Sequence, residues 1–157
     1  METTIIQSDY ELERQKPMPS KNHGLIQGNI YFELRSKYSN RFKVIPEARI
    51  NFKGDEKVPD LAIFDSLEFT PENDEITINK MPLATIEILS PKQHLSDLII
   101  KAHLYFEAGI QSYWLVLPDL KTIYVYSAIG EYEVFSKQEV LKDLKLDIEL
   151  SIEAIFR

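Results

Sequence analysis

Apolar positions along this 157-residue chain fall into runs whose spacing switches between a helical and a strand period. Residues 1–20 are mostly polar and finish in Lys16-Pro17-Met18-Pro19-Ser20, which reads as an extended, proline-set lead-in. Ser20 to Asn22 then supplies N-cap residues for a helix predicted to run to about Tyr38. Its apolar face is Leu25, Ile26, Ile30 and Leu34, widened by Tyr31 and Phe32, and Ser39-Asn40 ends it. From Lys43 to Phe52 the pattern alternates as in one strand, with Val44, Ala48, Ile50 and Phe52 on one side. Lys53-Gly54-Asp55-Glu56 is a turn into a second strand, Val58-Pro59-Asp60-Leu61-Ala62-Ile63-Phe64.

Residues 66–82 are a long polar interruption, with strong turn chemistry at Thr70-Pro71-Glu72-Asn73-Asp74. A third strand, Leu83 to Ser90, stops at Pro91. Leu95 to Ala108 is the second predicted helix, closed by Gly109, with Leu95, Leu98, Ile99, Ala102 and Phe106 on its buried stripe. Tyr113-Trp114-Leu115-Val116-Leu117 is nearly all apolar, as at the centre of a sheet. Strands follow at Thr122 to Ser127 and Tyr132 to Phe135, and the stretch from Leu144 to Phe156 reads as a short strand with a helical turn. The order of elements is that of one α+β, or mixed α/β, domain over residues 1–157. Its core is expected at about residues 22–118, with additional C-terminal strands in 121–157.

Composition narrows the function classes. A hydrophobic content of 44% and a charged content of 27% fit an ordinary soluble domain. No apolar stretch reaches the roughly 18–20 residues that span a bilayer, and Met1 to Tyr10 is polar and acidic, unlike a signal peptide. The chain has no cysteine, which excludes disulfides and thiolate metal sites, and cytoplasm is the expected location. A net charge of −7 argues against a general nucleic-acid binder. The basic residues are nevertheless denser in the first third (Arg14, Lys16, Lys21, Arg35, Lys37, Arg41, Lys43, Arg49, Lys53, Lys57), where they could form a basic face.

Asp60 and Glu87 stand out against this background, because each lies in an apolar run that reads as a buried strand. A carboxylate there is costly unless a cation compensates it, and oxygen ligands suit a hard divalent ion. Blander readings exist for both. Asp60 follows a proline and can cap a turn, and Glu87 can pair with Lys57 or Arg49 across the sheet. His23, His94 and His103 have no metal-ligand spacing; His23 reads as part of the first helix cap, and His94 as a residue at the rim near Glu87. Trp114, Tyr113 and Phe106 read as core.

The ordered set Met18-Pro19-Ser20, His23-Gly24, Pro59-Asp60, Glu87-Ile88-Leu89-Ser90-Pro91, Asp97, Lys101, Tyr105, Ala108-Gly109 and Tyr113-Trp114 resembles the PD-(D/E)xK nuclease superfamily. It is most similar to the large bacterial family named for restriction endonucleases, whose cellular role is mostly unassigned. The resemblance runs from about residue 10 to the C-terminus. It implies a restriction-endonuclease-like core (helix, three strands, helix, strand) with a mixed central sheet flanked by helices. It further implies a Mg²⁺-dependent endonuclease acting on DNA, with Mn²⁺ as a substitute. Asp60 and Glu87 would be catalytic metal ligands, with the backbone carbonyl of Ile88 as a third ligand. The metal would generate a hydroxide nucleophile and stabilise charge on the scissile phosphate.

The motif lysine two residues after the acid is replaced here by Leu89. Lys101, on the following helix, takes its expected catalytic role. Asp97, four residues earlier, flanks it and also fits an ordinary helix salt bridge with it. Glu47 is expected to flank the same cavity, and Tyr105 to bind a phosphate or hold Lys101; His23 is an auxiliary residue. The expected partners are DNA, a second copy of the chain pairing through its C-terminal strands, and a protein that confers specificity. A catalytically inactive nucleic-acid-binding module on the same fold is the second reading, supported by Leu89 and the net negative charge. A sugar hydrolase using the two acids comes last, since no exposed aromatics surround them.

Overall fold

Two serines start the first two helices. In α1 (Asp9–Arg14) the Ser8 hydroxyl accepts the Glu11 N–H at 3.2 Å, and the Glu11 carboxylate accepts the Ser8 N–H at 3.0 Å. This reciprocal capping box overrides the extended lead-in expected from the two prolines. Gln15 ends the helix in the left-handed region, at φ 58°. The computed structural model describes residues 6–157, so the part of that expectation covering residues 1–5 lies outside the described residues. In α2 (Lys21–Tyr38) the Ser20 hydroxyl accepts the N–H of His23. Its buried face is His23, Ile26, Ile30, Glu33 and Leu34, whereas Leu25 and Phe32, expected on that face, are exposed.

The predicted strand from Lys43 to Phe52 is two strands, β1 (Lys43–Pro46) and β2 (Arg49–Phe52), broken at Glu47. Glu47 sits at φ 52°, an uncommon conformation for a residue other than glycine. The break turns the chain from one sheet to another, so Val44 packs on one side of the molecule and Ile50 and Phe52 on the other. The remaining elements are β3 (Asp55–Lys57), β4 (Leu61–Phe64), β5 (Thr77–Ile78), β6 (Ala84–Ile88), α3 (Leu95–Ala108), β7 (Ser112–Leu117), β8 (Thr122–Ala128), β9 (Glu131–Ser136), β10 (Val140–Asp143), β11 (Ile148–Ser151) and α4 (Ile152–Ile155). Three of these short strands escaped the sequence reading: β3, in the stretch read as a turn, β5 inside the polar interruption, and β10.

Six strands form the central sheet in the order β1-β4-β6-β7-β8-β9. Within this sheet, among the described residues, only β6 and β7 pair in parallel, with α3 as their crossover. A smaller sheet, β3-β2-β5, and a hairpin, β10-β11, flank it. Alternation along the strands divides the core between the two faces of the sheet. Leu61, Ile63, Ala84, Ile86, Ile88, Trp114 and Val116 pack against α2, the β10-β11 hairpin and α4. Ala62, Phe64, Tyr113, Leu115 and Leu117 pack against α3 and β2. The stripe of α3 is rotated from its predicted position: Leu98, Ala102, Tyr105 and Ala108 are buried, while Leu95 and Ile99 are exposed. The expected mixed α+β layering, with helices on a mixed sheet and added C-terminal strands, is what the chain adopts.

Asp143 shows how this core satisfies a buried acid with neutral donors. It accepts from the Ser112 hydroxyl at 2.9 Å, from Trp114 Nε1 at 2.8 Å, and from the Lys145 and Leu146 N–H groups at 3.1 Å each. Removing the acceptor would strand several buried donors, at roughly 1–3 kcal/mol each. Asp143→Ala is therefore expected to lower the unfolding free energy by about 3 kcal/mol or more, read as a shift in the urea midpoint; an unchanged midpoint contradicts this.

Candidate active site

The sheet itself brings the two predicted acids together. β4 and β6 are antiparallel, with Leu61 opposite Ile86, so Asp60 at the start of β4 stands beside Glu87 near the end of β6. Side chains alternate along a strand. Since Leu61 and Ile86 face α2, Asp60 and Glu87 are both directed to the α3 side of the sheet. The Asp60 backbone is fixed as well, its carbonyl accepting the Glu47 N–H at 3.2 Å and the Gln27 side-chain amide at 3.0 Å. Strand β4 begins one residue after Asp60, so this acid occupies a strand end rather than a strand interior.

Both carboxylates are buried, and each uses its two oxygens differently. Asp60 Oδ2 accepts the Ile88 N–H at 2.7 Å and lies 3.1 Å from His23 Nε2. Asp60 Oδ1 lies 2.7 Å from Lys16 Nζ and 3.5 Å from Arg14 Nη2. Glu87 Oε1 accepts the Tyr105 hydroxyl at 2.7 Å and lies 3.6 Å from Lys101 Nζ. Glu87 Oε2 is buried without a hydrogen-bond partner, with Lys16 Nζ 3.5 Å away. Glu47 is outermost, held by a bidentate pair with Arg14 at 2.7 and 2.9 Å. That pair also lines an open cleft of about 1140 Å³ between α1, β2 and the segment before β5, whose lining includes Arg49, Lys80, Glu13, Glu68 and Asp74.

These contacts set the electrostatics. Burial alone would raise the Asp60 carboxyl, but the Lys16 ammonium and the His23 hydrogen bond outweigh it and hold the group far below its ordinary value of 3.8. Burial would lower Lys16, yet Glu87 and Asp60 together keep it above the ordinary lysine value. Arg14 follows the same pattern, its burial offset by Glu47. Burial and the adjacent Glu87 charge push the Tyr105 hydroxyl well up, so it serves as a donor. Three carboxylates (Asp60, Glu87, Glu47) thus meet three cations (Lys16, Arg14, Lys101).

Of the residues singled out in the sequence, Asp60, Glu87, Ile88, Lys101, Tyr105, His23 and Glu47 converge here. Three details differ from expectation. Ser20, not His23, caps α2, and the His23 side chain lies on Asp60 instead. Tyr105 is buried and bonds Glu87 rather than holding Lys101 or facing outward. Asp97 is exposed, and among the described residues no ion pair joins it to Lys101, which reaches Glu87. Glu87 also has neither of the partners weighed for a purely structural role, since Lys57 bonds Gln15 and the nearby cations are Lys16 and Lys101.

Lys16 and Arg14 were missed as site residues. The sequence places them on a basic surface, yet both are buried. Their signal was indirect: the Ser8-x-x-Glu11 capping box starts α1 and the left-handed Gln15 ends it just ahead of Pro17, which folds both cations back over the sheet. Among the described residues no group of three or more acidic or histidine side chains is arranged to hold a metal ion, so a cation here would rest on two carboxylates and backbone.

The chain matches the family described as "Uma2: Putative restriction endonuclease" over residues 6–153, and it belongs to that family. Among solved structures it is similar to a "putative nuclease belonging to DUF820" from Anabaena variabilis. The two are 28% identical with a TM-score of 0.77, over 89% of this chain and 83% of that one. No curated protein matches. The fold is thus restriction-endonuclease-like, and the family is one of nuclease-like proteins. Among the described residues, no helix is long and apolar enough to cross a membrane.

A carboxyl whose value is depressed on folding stabilises the protein above its unfolded value, and that contribution fades as pH falls towards the folded value. The stability difference between wild type and Asp60→Asn is therefore expected to be full above about pH 5 and to shrink steadily from about pH 4 to pH 2. Urea titrations of both proteins across that range check it, and a pH-independent difference contradicts it.

Proposed function

We propose that this protein is a divalent-cation-dependent endonuclease that hydrolyses DNA phosphodiester bonds, with Asp60 and Glu87 as cation ligands and Lys101 as the catalytic lysine. The observation that carries this reading is Glu87 Oε2, a buried carboxylate oxygen without a hydrogen-bond donor, facing the Asp60 side. The core can satisfy a buried acid with neutral groups, as it does at Asp143; at Glu87 it supplies one neutral donor and leaves the rest to positive charge. An all-oxygen donor set suits Mg²⁺, with Mn²⁺ as a substitute. The Ile88 carbonyl, at the end of the same strand, would be the third ligand from the protein.

Bound there, the cation would supply charge stabilisation at the phosphate and acidify a water. The rest falls to the chain's own residues. The Lys101 ammonium, its side chain partly exposed and 3.6 Å from Glu87, would orient the attacking water and offset phosphate charge. Tyr105 fixes Glu87 Oε1, while the Ile88 N–H and His23 fix Asp60 Oδ2, so both carboxylates stay aimed. Glu47 and Arg14 form the wall between this cluster and the open cleft. A homodimer would suit cutting both strands of a duplex. The outer strand β9, with Tyr132 and Val134 exposed, is the last strand of the sheet among the described residues, and its edge is where two copies could pair. A partner protein would supply sequence recognition, and the cytoplasm is the proposed location.

One observation favours a second reading, an inactive nucleic-acid-binding module: three protein cations already match the three carboxylates. A nicking assay on supercoiled plasmid and on single-stranded DNA with Mg²⁺ or Mn²⁺ separates the two. Wild type is expected to cut, and Asp60→Ala and Glu87→Ala to lose at least about 100-fold in rate. Lys101→Ala is expected to lose about 10²- to 10³-fold. Wild type that binds DNA but cuts with neither metal supports the inactive module. Cutting that survives Lys101→Ala, but not the two acid substitutions, removes Lys101 from the proposal.

A further inference from the structure

We infer that Lys16 and a divalent cation compete for one place between Asp60 and Glu87, so that loading the metal expels the Lys16 ammonium and loosens the segment that carries it. This rests on the reading of Asp60 and Glu87 as cation ligands.

The oxygens carry the argument. Of the four in the two carboxylates, Asp60 Oδ2 and Glu87 Oε1 have neutral donors, Ile88 N–H and Tyr105 O–H respectively. The other two, Asp60 Oδ1 and Glu87 Oε2, have cations beside them but no neutral donor, and both face Lys16 Nζ, at 2.7 and 3.5 Å. Among the described residues only Lys16 is ion-paired with both acids. Arg14 reaches Asp60 and Glu47, and Lys101 reaches Glu87. Lys16 therefore holds the position from which a cation would contact both free oxygens. Its side chain is 3% exposed, so no layer of water separates the charges.

Charge makes the exchange obligatory rather than optional. The cluster is already neutral, with three carboxylates against three cations. A dication added on top would leave a buried excess of two positive charges, with Lys16 at contact distance from one of them, which a medium of low dielectric penalises heavily. Departure of Lys16 halves that excess, and a phosphate monoanion from substrate removes the remainder.

The segment bearing Lys16 is built so that it can leave. Gln15 sits in the left-handed conformation just before it and Pro17 follows it. Helix α1 has six residues, too few to be stable alone, and Tyr10 and Leu12 are largely exposed. Its side-chain ties to the sheet are the Arg14 contacts with Glu47 and Asp60, Lys57 to Gln15, and Lys16 itself. Beyond Pro19, α2 is anchored by its own cap at Ser20 and by buried Ile26 and Ile30, so motion would stop there.

The test is Mn²⁺ binding, measured by the loss of the free-ion EPR signal, on wild type, Lys16→Met and Glu87→Gln. Removing an internal competitor raises the fraction of binding-competent protein, so Lys16→Met is expected to bind Mn²⁺ roughly tenfold or more tightly than wild type. Glu87→Gln is expected to lose the site. Equal or weaker binding by Lys16→Met, with Glu87→Gln still defective, overturns the exchange and leaves the metal site standing. No Mn²⁺ binding by wild type or by Lys16→Met overturns both. Should Lys16→Met fail to fold with two acids uncompensated, hydrogen exchange on wild type decides. The amides of residues 9–16 are expected to exchange faster with Mn²⁺ than without it, and unchanged protection at Mn²⁺ concentrations that saturate the site overturns the exchange.

Discussion

The structure turns on one constraint: two carboxylates are buried side by side at the end of a sheet, and each needs positive charge. Burying a lone carboxylate costs several kcal/mol even after relaxation, and two adjacent ones repel as well. The chain meets this by sending Lys16 and Arg14 from the N-terminal segment and Lys101 from α3 to one spot, where a His23 nitrogen from α2 also lies beside Asp60. Three elements distant in sequence are thereby tied to β4 and β6. Hydrophobic burial assembles the layers; the acid pair dictates how the segment before α2 folds across them.

Asp143, Asp60 and Glu87, three of the buried acids, separate support from chemistry. Asp143 is surrounded by a hydroxyl, an indole N–H and two backbone N–H groups, and it ties β7 to the β10-β11 hairpin. Its environment is complete. Asp60 is half satisfied by neutral groups and half by cations, and Glu87 keeps one oxygen without any donor. A purely structural acid gains nothing from such a deficit, since neutral donors or an apolar replacement would stabilise the fold at least as well. A site that must exchange one cation for another has to leave those oxygens free of permanent donors.

Much of this was legible in the sequence, and what was not has identifiable causes. Helices α2 and α3 and strands β6 and β7 announce themselves through periodicity, caps and the apolar run around Trp114. Asp60 and Glu87 stood out as charges inside apolar runs. Positive-φ residues other than glycine left no pattern: nothing in Val44-Ile45-Pro46-Glu47-Ala48 marks Glu47 as a left-handed break that sends β2 to another sheet. The phase of α3 was misjudged because its apolar residues outnumber one face, and the acid at Glu87 selected Tyr105 for the interior over Leu95 and Ile99. Lys16 was unreadable as a site residue because basic residues in polar segments are usually solvated, and its burial depends on two acids more than forty residues away.

The measurement that tests the central claim most directly is anomalous diffraction from crystals of the wild-type protein soaked in Mn²⁺. The account predicts one strong peak in contact with Asp60 and Glu87, with the Lys16 ammonium withdrawn from between them. A peak elsewhere, or no peak while Lys16 still bridges the two carboxylates at full Mn²⁺ exposure, would contradict it: the acid pair would then be a permanent internal salt bridge and not a cation site.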